Sequence, residues 1–279
     1  MSKLGILYGV SNLPWVSELL VSAASVKTQM PDVRITLSID EATLNAIPDI
    51  IDLGRYFDDI QPYSDEATFR SSKFSALANP HCDRNIFLDT DTYLHYPVYE
   101  LYETLDRFDI GAMIAPQRLH GKSIEKDFYS FFKPVPSSFP EYNNGVVPFK
   151  KSDRYFQFLE QYQSIYAQGV EKADYQMDQP SFRVALYHSD LRLFPLSPEY
   201  NFRANIANVV KGKVKIIHGH GHLRTIALLA NENEKSIRVL PPRRELLTGK
   251  IPSGYLQQGN TSVMEDQLVE TWNKLMVSE

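Results

Sequence analysis

The stretch Arg84-Asn85-Ile86-Phe87-Leu88-Asp89-Thr90-Asp91-Thr92-Tyr93-Leu94 decides how this chain is read. The apolar run Ile86-Phe87-Leu88, with turn-forming residues before it, predicts a short buried strand. Asp89 and Asp91 follow at its C-terminal end. In extended backbone, residues i and i+2 face the same way, so the two carboxylates can share one cation. Paired carboxylates are hard oxygen ligands suited to Mg²⁺ or Mn²⁺ carrying phosphates. Open α/β sheets bind ligands beyond the carboxyl ends of their strands, so position and chemistry agree. An Asp-x-Asp arises about once by chance in a chain of this length. The bland alternative is a solvated turn whose Asp side chains bond local backbone.

Upstream, residues 4–10 read as a first strand. Its end, Tyr8-Gly9-Val10-Ser11-Asn12, lacks the spacing of a dinucleotide-binding glycine loop. Ser11 or Asn12 is placed to cap a helix running to about Met30, with Val16, Leu19, Leu20, Ala23 and Val26 on its buried face. Residues 32–39 form a second strand and 57–61 a shorter third. This βαβ opening implies a parallel sheet with a right-handed crossover. A helix then carries Arg70 and Lys73, at i and i+3 on one face, straight into the Asp89/Asp91 strand. A merely solvated basic face is the alternative there.

Downstream, a helix over 97–108 and a buried strand over 110–115 are expected. Residues 117–140 are irregular, with Pro134, Pro136 and Pro140 near the end, and read as a lid or an acceptor-binding segment. Asn143-Asn144-Gly145 turns into a strand, and a helix follows over 152–168. Asp178-Gln179-Pro180 opens another helix, with Asp178 in a capping position. A strand over 191–196 leads to Tyr200-Asn201. The last clear strand, 214–218, runs into His218-Gly219-His220-Gly221-His222, an alternating tract with metal-binding character. From 226 the pattern weakens. Its one strong element is an amphipathic helix near 263–276, suited to packing back on the domain or to an oligomer contact.

The bulk numbers bound the function. A chain of 279 residues allows one large α/β domain or two small ones. Its net charge of −5, from 29 basic and 34 acidic residues, excludes general nucleic-acid affinity. A diphosphate ligand therefore needs a bound cation or local Lys and Arg. The single cysteine, Cys82, excludes an intrachain disulfide and reads as a small structural side chain. The 16 Tyr and 15 Phe read first as core, and only secondarily as stacking surfaces. No apolar run is long enough for a membrane span and no signal peptide is seen, so cytoplasmic residence is expected.

Taken in order, Arg70/Lys73, Phe-Leu-Asp-Thr-Asp-Thr-Tyr, Asn-Asn-Gly-Val-Val, Asp-Gln, Tyr-Asn and Ile-Ile-His-Gly resemble the GT-A nucleotide-sugar glycosyltransferases, most closely the family 8 and glycogenin-like group. The resemblance spans about residues 4–222. It implies an α/β, Rossmann-like fold with a mostly parallel central sheet flanked by helices, in a single catalytic domain over residues 1–225. Residues 1–116 would be its nucleotide-binding half and 117–225 its acceptor and sugar half, with 226–279 a C-terminal segment ending in the amphipathic helix.

The resemblance also implies roles. Asp89, Thr90 and Asp91 match the motif that binds Mn²⁺ (or Mg²⁺) and the donor diphosphate, and His218 matches the third metal ligand. Tyr8, Gly9 and Val10 match the first-strand end that holds the base. Arg70 and Lys73 match cations facing the donor. Asn144 matches the sugar-pocket asparagine, and Asp178 and Gln179 match the pair near the transferred sugar. The implied reaction moves a sugar from a nucleotide-diphosphate sugar, UDP-sugar favoured, to a glycan or other hydroxyl acceptor, with retention at the anomeric carbon. A homo-oligomer is compatible with the terminal helix.

Two departures stand out. The family's Lys-Pro-Trp after the histidine is replaced by Gly219-His220-Gly221-His222-Leu223-Arg224. The usual small residue before the glycine is Asn144. Three rival readings compete with this one. In a haloacid-dehalogenase-type phosphatase Asp89 would be the nucleophile, but Tyr93 departs from that motif and no downstream acidic motif follows. A sugar-1-phosphate nucleotidyltransferase lacks its Gly-rich loop here. A non-catalytic nucleotide-sugar-binding module is the third.

Overall fold

A computed structural model of the chain describes residues 4–64, 71–116, 134–173 and 176–240. Arg70 and the expected helix near 263–276 lie outside these residues. So do residues 117–133 of the irregular segment.

The central sheet has eight strands in the order β3-β2-β1-β4-β8-β6-β7, with β9 paired to β6. Here β1 is Leu4–Val10, β2 Arg34–Asp40, β3 Asp59–Tyr63 and β4 Arg84–Leu88. Beyond them lie β6 Ile110–Ile114, β7 Tyr142–Asn143, β8 Val146–Lys150 and β9 Leu193–Leu196. The first four of these strands, and the β6–β9 pair, run parallel. β8 enters antiparallel beside β4, with Leu88 opposite Val146. That pairing places the Asn143-Asn144-Gly145 turn alongside the end of β4.

Side chains alternate across the sheet, as the pleat requires. Ile6, Tyr8 and Val10 of β1 enter a core with helix α1 (Val16–Gln29), while Leu7 enters one with the helices over 71–78, 153–173 and 179–187. Burial on both faces explains why these strands read as short apolar runs. α3 (Ser71–Ala78) lies on β1 and β2, in a position only glycine permits: a Cβ on Gly9 would stand 2.2 Å from the Ser72 carbonyl oxygen. α2 is the short helix Glu41–Ala46, and α4 is Tyr99–Thr104. α5 (Asp153–Ala173) buries Tyr155, Phe158, Leu159, Tyr162 and Tyr166 at helical spacing, which accounts for many of the chain's aromatics. α6 is Gln179–Tyr187.

Several expectations are corrected. The chain after β1 makes a short 3-10 turn, Leu13–Trp15, before α1, and Asn12 caps nothing with its side chain. A strand absent from the reading above, β5 (Thr92–Leu94), follows Asp91 directly. It belongs to a second sheet, β10-β12-β5, with β10 at Phe202–Arg203 and β12 at Ile216–His218. The last clear strand is thus outside the central sheet. Residues beyond 225 are also built in: helix α7 (Leu223–Ala230) buries Leu223, Ile226, Ala227 and Ala230 against Tyr93, Phe202 and Ile217. β13 (Ile237–Leu240) then pairs with β11 (Asn208–Lys211).

Candidate functional site

Asp89 is fixed where β4 ends. Its amide donates to the Gly145 carbonyl at 2.8 Å, and its own carbonyl accepts from the Thr92 hydroxyl at 2.8 Å. Because the Thr92 proton is committed to Asp89, Ser22 donates to Thr92 at 2.8 Å and Tyr8 donates to Ser22 at 2.7 Å. Burial of Tyr8 pushes its phenol well above the ordinary value and keeps it a donor. The Tyr8 ring is wholly buried on the α1 face, and Val10 is buried beside it. Through Ser22 and Thr92, Tyr8 buttresses the Asp89 turn. Thr90 is half-buried in that turn.

His218 reaches the carboxylates through β12–β5 pairing, which sets His218 opposite Thr92. The Gly219 amide then donates to the Asp91 carbonyl at 2.8 Å. His218 Nε2 lies 3.3 Å from Asp91 Oδ1 and 3.5 Å from Asp89 Oδ2. One ligand atom from each of the three residues falls within a 4.8 Å span. Octahedral ligands about 2.1 Å from an ion stand about 3 Å apart, so this donor set fits a divalent cation. Burial pushes the Asp91 carboxyl up, but His218 beside it, with His220 and Arg203, outweighs burial and holds it well below the usual carboxylate range. Arg203 is itself lowered by burial, against the pull of Asp91 and Asp89.

Gly145 makes this approach possible. A Cβ there would stand 1.9 Å from His218 Cε1, 2.5 Å from Nδ1 and 2.8 Å from Asp89 Oδ2. Gly145→Ala is expected to displace His218 and weaken Mn²⁺ binding about tenfold or more, a loss calorimetric titration would read. Unchanged affinity would show that His218 is not a ligand.

Lys73 is buried between the two halves of the site. Its ammonium is 3.1 Å from Asp89 Oδ1, 3.1 Å from Asp178 Oδ2 and 3.3 Å from the Asn144 carbonyl. Three acceptors match its three protons. In this arrangement Lys73 is an internal counter-ion to Asp89 and Asp178. Asp178 Oδ2 also accepts from Asn144 Nδ2 at 2.7 Å and from the Tyr162 hydroxyl at 2.7 Å. That is why Asp178, at the N-cap of α6, makes no side-chain cap bond. Asn144 also contacts Tyr162, at 2.8 Å. Gln179 is bound by Asn143 at 3.3 Å and donates to Glu141 at 2.6 Å.

The structure therefore gathers Asp89, Asp91, His218, Lys73, Asn144, Asp178 and Gln179 at one edge. Tyr162, Glu141, Asn201 and Arg203 join them without having been assigned roles from sequence. Asn201 carried the best signal, as the second residue of the Tyr-Asn pair. His220 sits at the rim: Nδ1 is 2.8 Å from Glu18 Oε2, Nε2 is 3.8 Å from Asp91 Oδ2, and the ring lies against Trp15 at 5.1 Å. His222 takes a left-handed conformation (φ 50°) ahead of α7 and points no ligand atom into the cluster.

No known family's sequence pattern matches the chain, nor does the sequence of any curated protein. Solved structures do resemble it. The galactosyltransferase LgtC, in complex with donor and acceptor sugar analogues, superposes with a TM-score of 0.51 at 16% identity, over 80% of this chain and 88% of that one. An active-site mutant of LgtC gives 0.51 at 15% identity, over 79% and 88%. The bifunctional glycosyltransferase WbbM gives 0.52 at 13% identity, over 79% of this chain and 46% of that one. The chain has the GT-A fold.

Proposed function

We propose that the chain is a metal-dependent glycosyltransferase that takes a sugar from a nucleotide-diphosphate sugar, UDP-sugar favoured, and gives it to a hydroxyl acceptor with retention. One observation carries the reading: the Asp89/Asp91/His218 donor set lies directly against the buried Lys73–Asp178–Asn144 cluster. A cation site for the diphosphate and a polar pocket for the sugar are thereby adjacent, at the strand end where this fold class binds ligands.

In the transfer, the anomeric carbon–oxygen bond breaks with its electron pair leaving on the diphosphate. The acceptor oxygen forms the new bond and its hydroxyl proton is released. Asp89, Asp91 and His218 would hold a divalent ion, which would supply neutralisation of the charge growing on the departing diphosphate. An imidazole beside two carboxylates favours Mn²⁺ over Mg²⁺. Lys73 holds Asp89 and Asp178 in mutual register. Three donors converge on Asp178 Oδ2, which supports an orienting role for this carboxylate over attack on the sugar. Among the described residues no helix is long and apolar enough to cross a membrane.

A thermal-shift panel of UDP-, GDP-, CMP- and dTDP-sugars, with and without Mn²⁺, tests the reading. The matching donor at about 100 times its Kd should add about 2.7 kcal/mol of stability, and only with metal present. EDTA should abolish turnover of that donor and Mn²⁺ restore it. Stabilisation without turnover or slow hydrolysis would leave a binding module, and full activity in EDTA would sink the metal-dependent mechanism.

A further inference from the structure

Behind the site, five buried side chains form a chain of hydrogen bonds whose direction a backbone amide fixes part-way along. At the far end is Glu141, which is wholly buried. Gln179 turns its amide nitrogen towards it and donates from Nε2 to Glu141 Oε2 at 2.6 Å. That orientation leaves Gln179 Oε1 to accept from Asn143 Nδ2 at 3.3 Å. Asn143 Oδ1 then accepts from Asn201 Nδ2 at 2.8 Å. The Gly145 amide, which can only donate, reaches the same Oδ1 at 3.1 Å and independently fixes which way Asn143 points. Asn201 Oδ1 is left facing His218 Nδ1 at 2.9 Å. An acceptor there requires a proton on Nδ1, and a neutral imidazole with that proton carries its lone pair on Nε2. Nε2 is the atom that faces Asp89 and Asp91.

Burial makes the constraint strict. Asn201 is fully buried, and Asn143, Gln179 and His218 nearly so, so bulk water does not stand in for a missing partner. Arg203 Nη1 is 3.4 Å from Nδ1 and 3.5 Å from Nε2, nearly equidistant and hence in line with neither lone pair. It does not compete with Asn201 for Nδ1.

We propose that Glu141 is a positioning residue for the metal site: it polarises the Gln179–Asn143–Asn201 relay and so selects the His218 tautomer whose Nε2 is a ligand. The consequence for metal affinity rests on the reading of Asp89, Asp91 and His218 above. The relay also gives Gln179 a defined job, since both ends of its amide are engaged within the chain.

The test is ¹⁵N NMR of histidine-labelled protein in excess Mg²⁺, a diamagnetic ion that keeps Asp89 and Asp91 from drawing a proton onto Nε2, with the His218 signals identified by their loss in His218→Ala. The parent should carry its proton on Nδ1. Glu141→Leu removes the terminal acceptor at similar volume; its His218 should become a mixture of tautomers, and Mn²⁺ affinity by calorimetry should fall about 10- to 100-fold. Glu141→Gln keeps an acceptor oxygen and should restore most of both. A purely structural role for Glu141 would lower the Tm of Glu141→Leu yet leave tautomer and affinity as in the parent, and that result overturns the proposal. Gln179→Met interrupts the same relay one bond nearer and should behave as Glu141→Leu does, which keeps the test decisive if the Glu141 variant fails to fold. A parent with its proton on Nε2 overturns the relay outright. A parent with the expected tautomer but no Mn²⁺ binding overturns the metal reading alone.

Discussion

Lys73→Ala should be among the most damaging single substitutions in this chain. The Lys73 side chain is 5% exposed and sits 3.1 Å from both Asp89 and Asp178. Removing it leaves two carboxylates facing a gap, with Asp178 buried and denied water. Breaking a buried ion pair by deleting one partner costs about 3–5 kcal/mol, because the remaining charge is uncompensated. In a domain of this size that corresponds to a fall in Tm on the order of 10 °C. Turnover should fall further, since Asp89 loses the group that fixes its Oδ1. The double variant Lys73→Met with Asp178→Asn should recover part of the stability, as it removes charge from both sides of the pair. Thermal unfolding of the single and double variants measures the coupling. A Tm for Lys73→Ala within about 2 °C of the parent, with a raised KM for the donor, would return Lys73 to the donor-facing role that its helix position implied.

That prediction marks where sequence reading succeeds and where it stops. Lys73 was legible as a functional cation, because its helix runs straight into the Asp89/Asp91 strand. Its partner was not, because Asp178 lies far along the chain and nothing local links the two. The same division runs through the fold. β1, β4, β6 and β8 are short apolar runs between turn formers, and central burial on both faces writes that pattern plainly. β5 is only three residues long and follows the second aspartate without a break, so it reads as the tail of the motif. Yet β5 brings in His218, through a pairing with β12 that has no local signature. Tyr8 was legible as a strand residue, but its hydroxyl bond to Ser22 behind the Asp89 turn was not. Glu141 shows the limit most clearly. It is one carboxylate among 34 acidic residues. Only three-dimensional structure shows it wholly buried behind the site.

The second large effect falls on the proposed metal ligands. Asp91→Asn is nearly isosteric and should leave the fold intact while removing a charged ligand. His218→Ala removes the only imidazole in the donor set and opens the space against which Gly145 is fitted. Each should lower Mn²⁺ activation and nucleotide binding together, by about 100-fold or more, since the charge on a bound diphosphate then lacks its counter-ion. His222→Ala should do little to either. That residue lies outside the cluster, and both side chains carry a Cβ into the same left-handed backbone position. Glu18 turns the His220 ring by its bond to Nδ1, so His220→Ala should fall between the two, with donor KM moving more than Mn²⁺ affinity. A phosphatase mechanism orders the variants differently: Asp89 becomes indispensable as nucleophile and His218 dispensable. Titrating Mn²⁺ against Asp91→Asn, His218→Ala and His222→Ala with a nucleoside diphosphate present separates the two orders. If His218→Ala binds Mn²⁺ and nucleotide as the parent does, the imidazole is a structural turn residue and the third ligand must come from elsewhere.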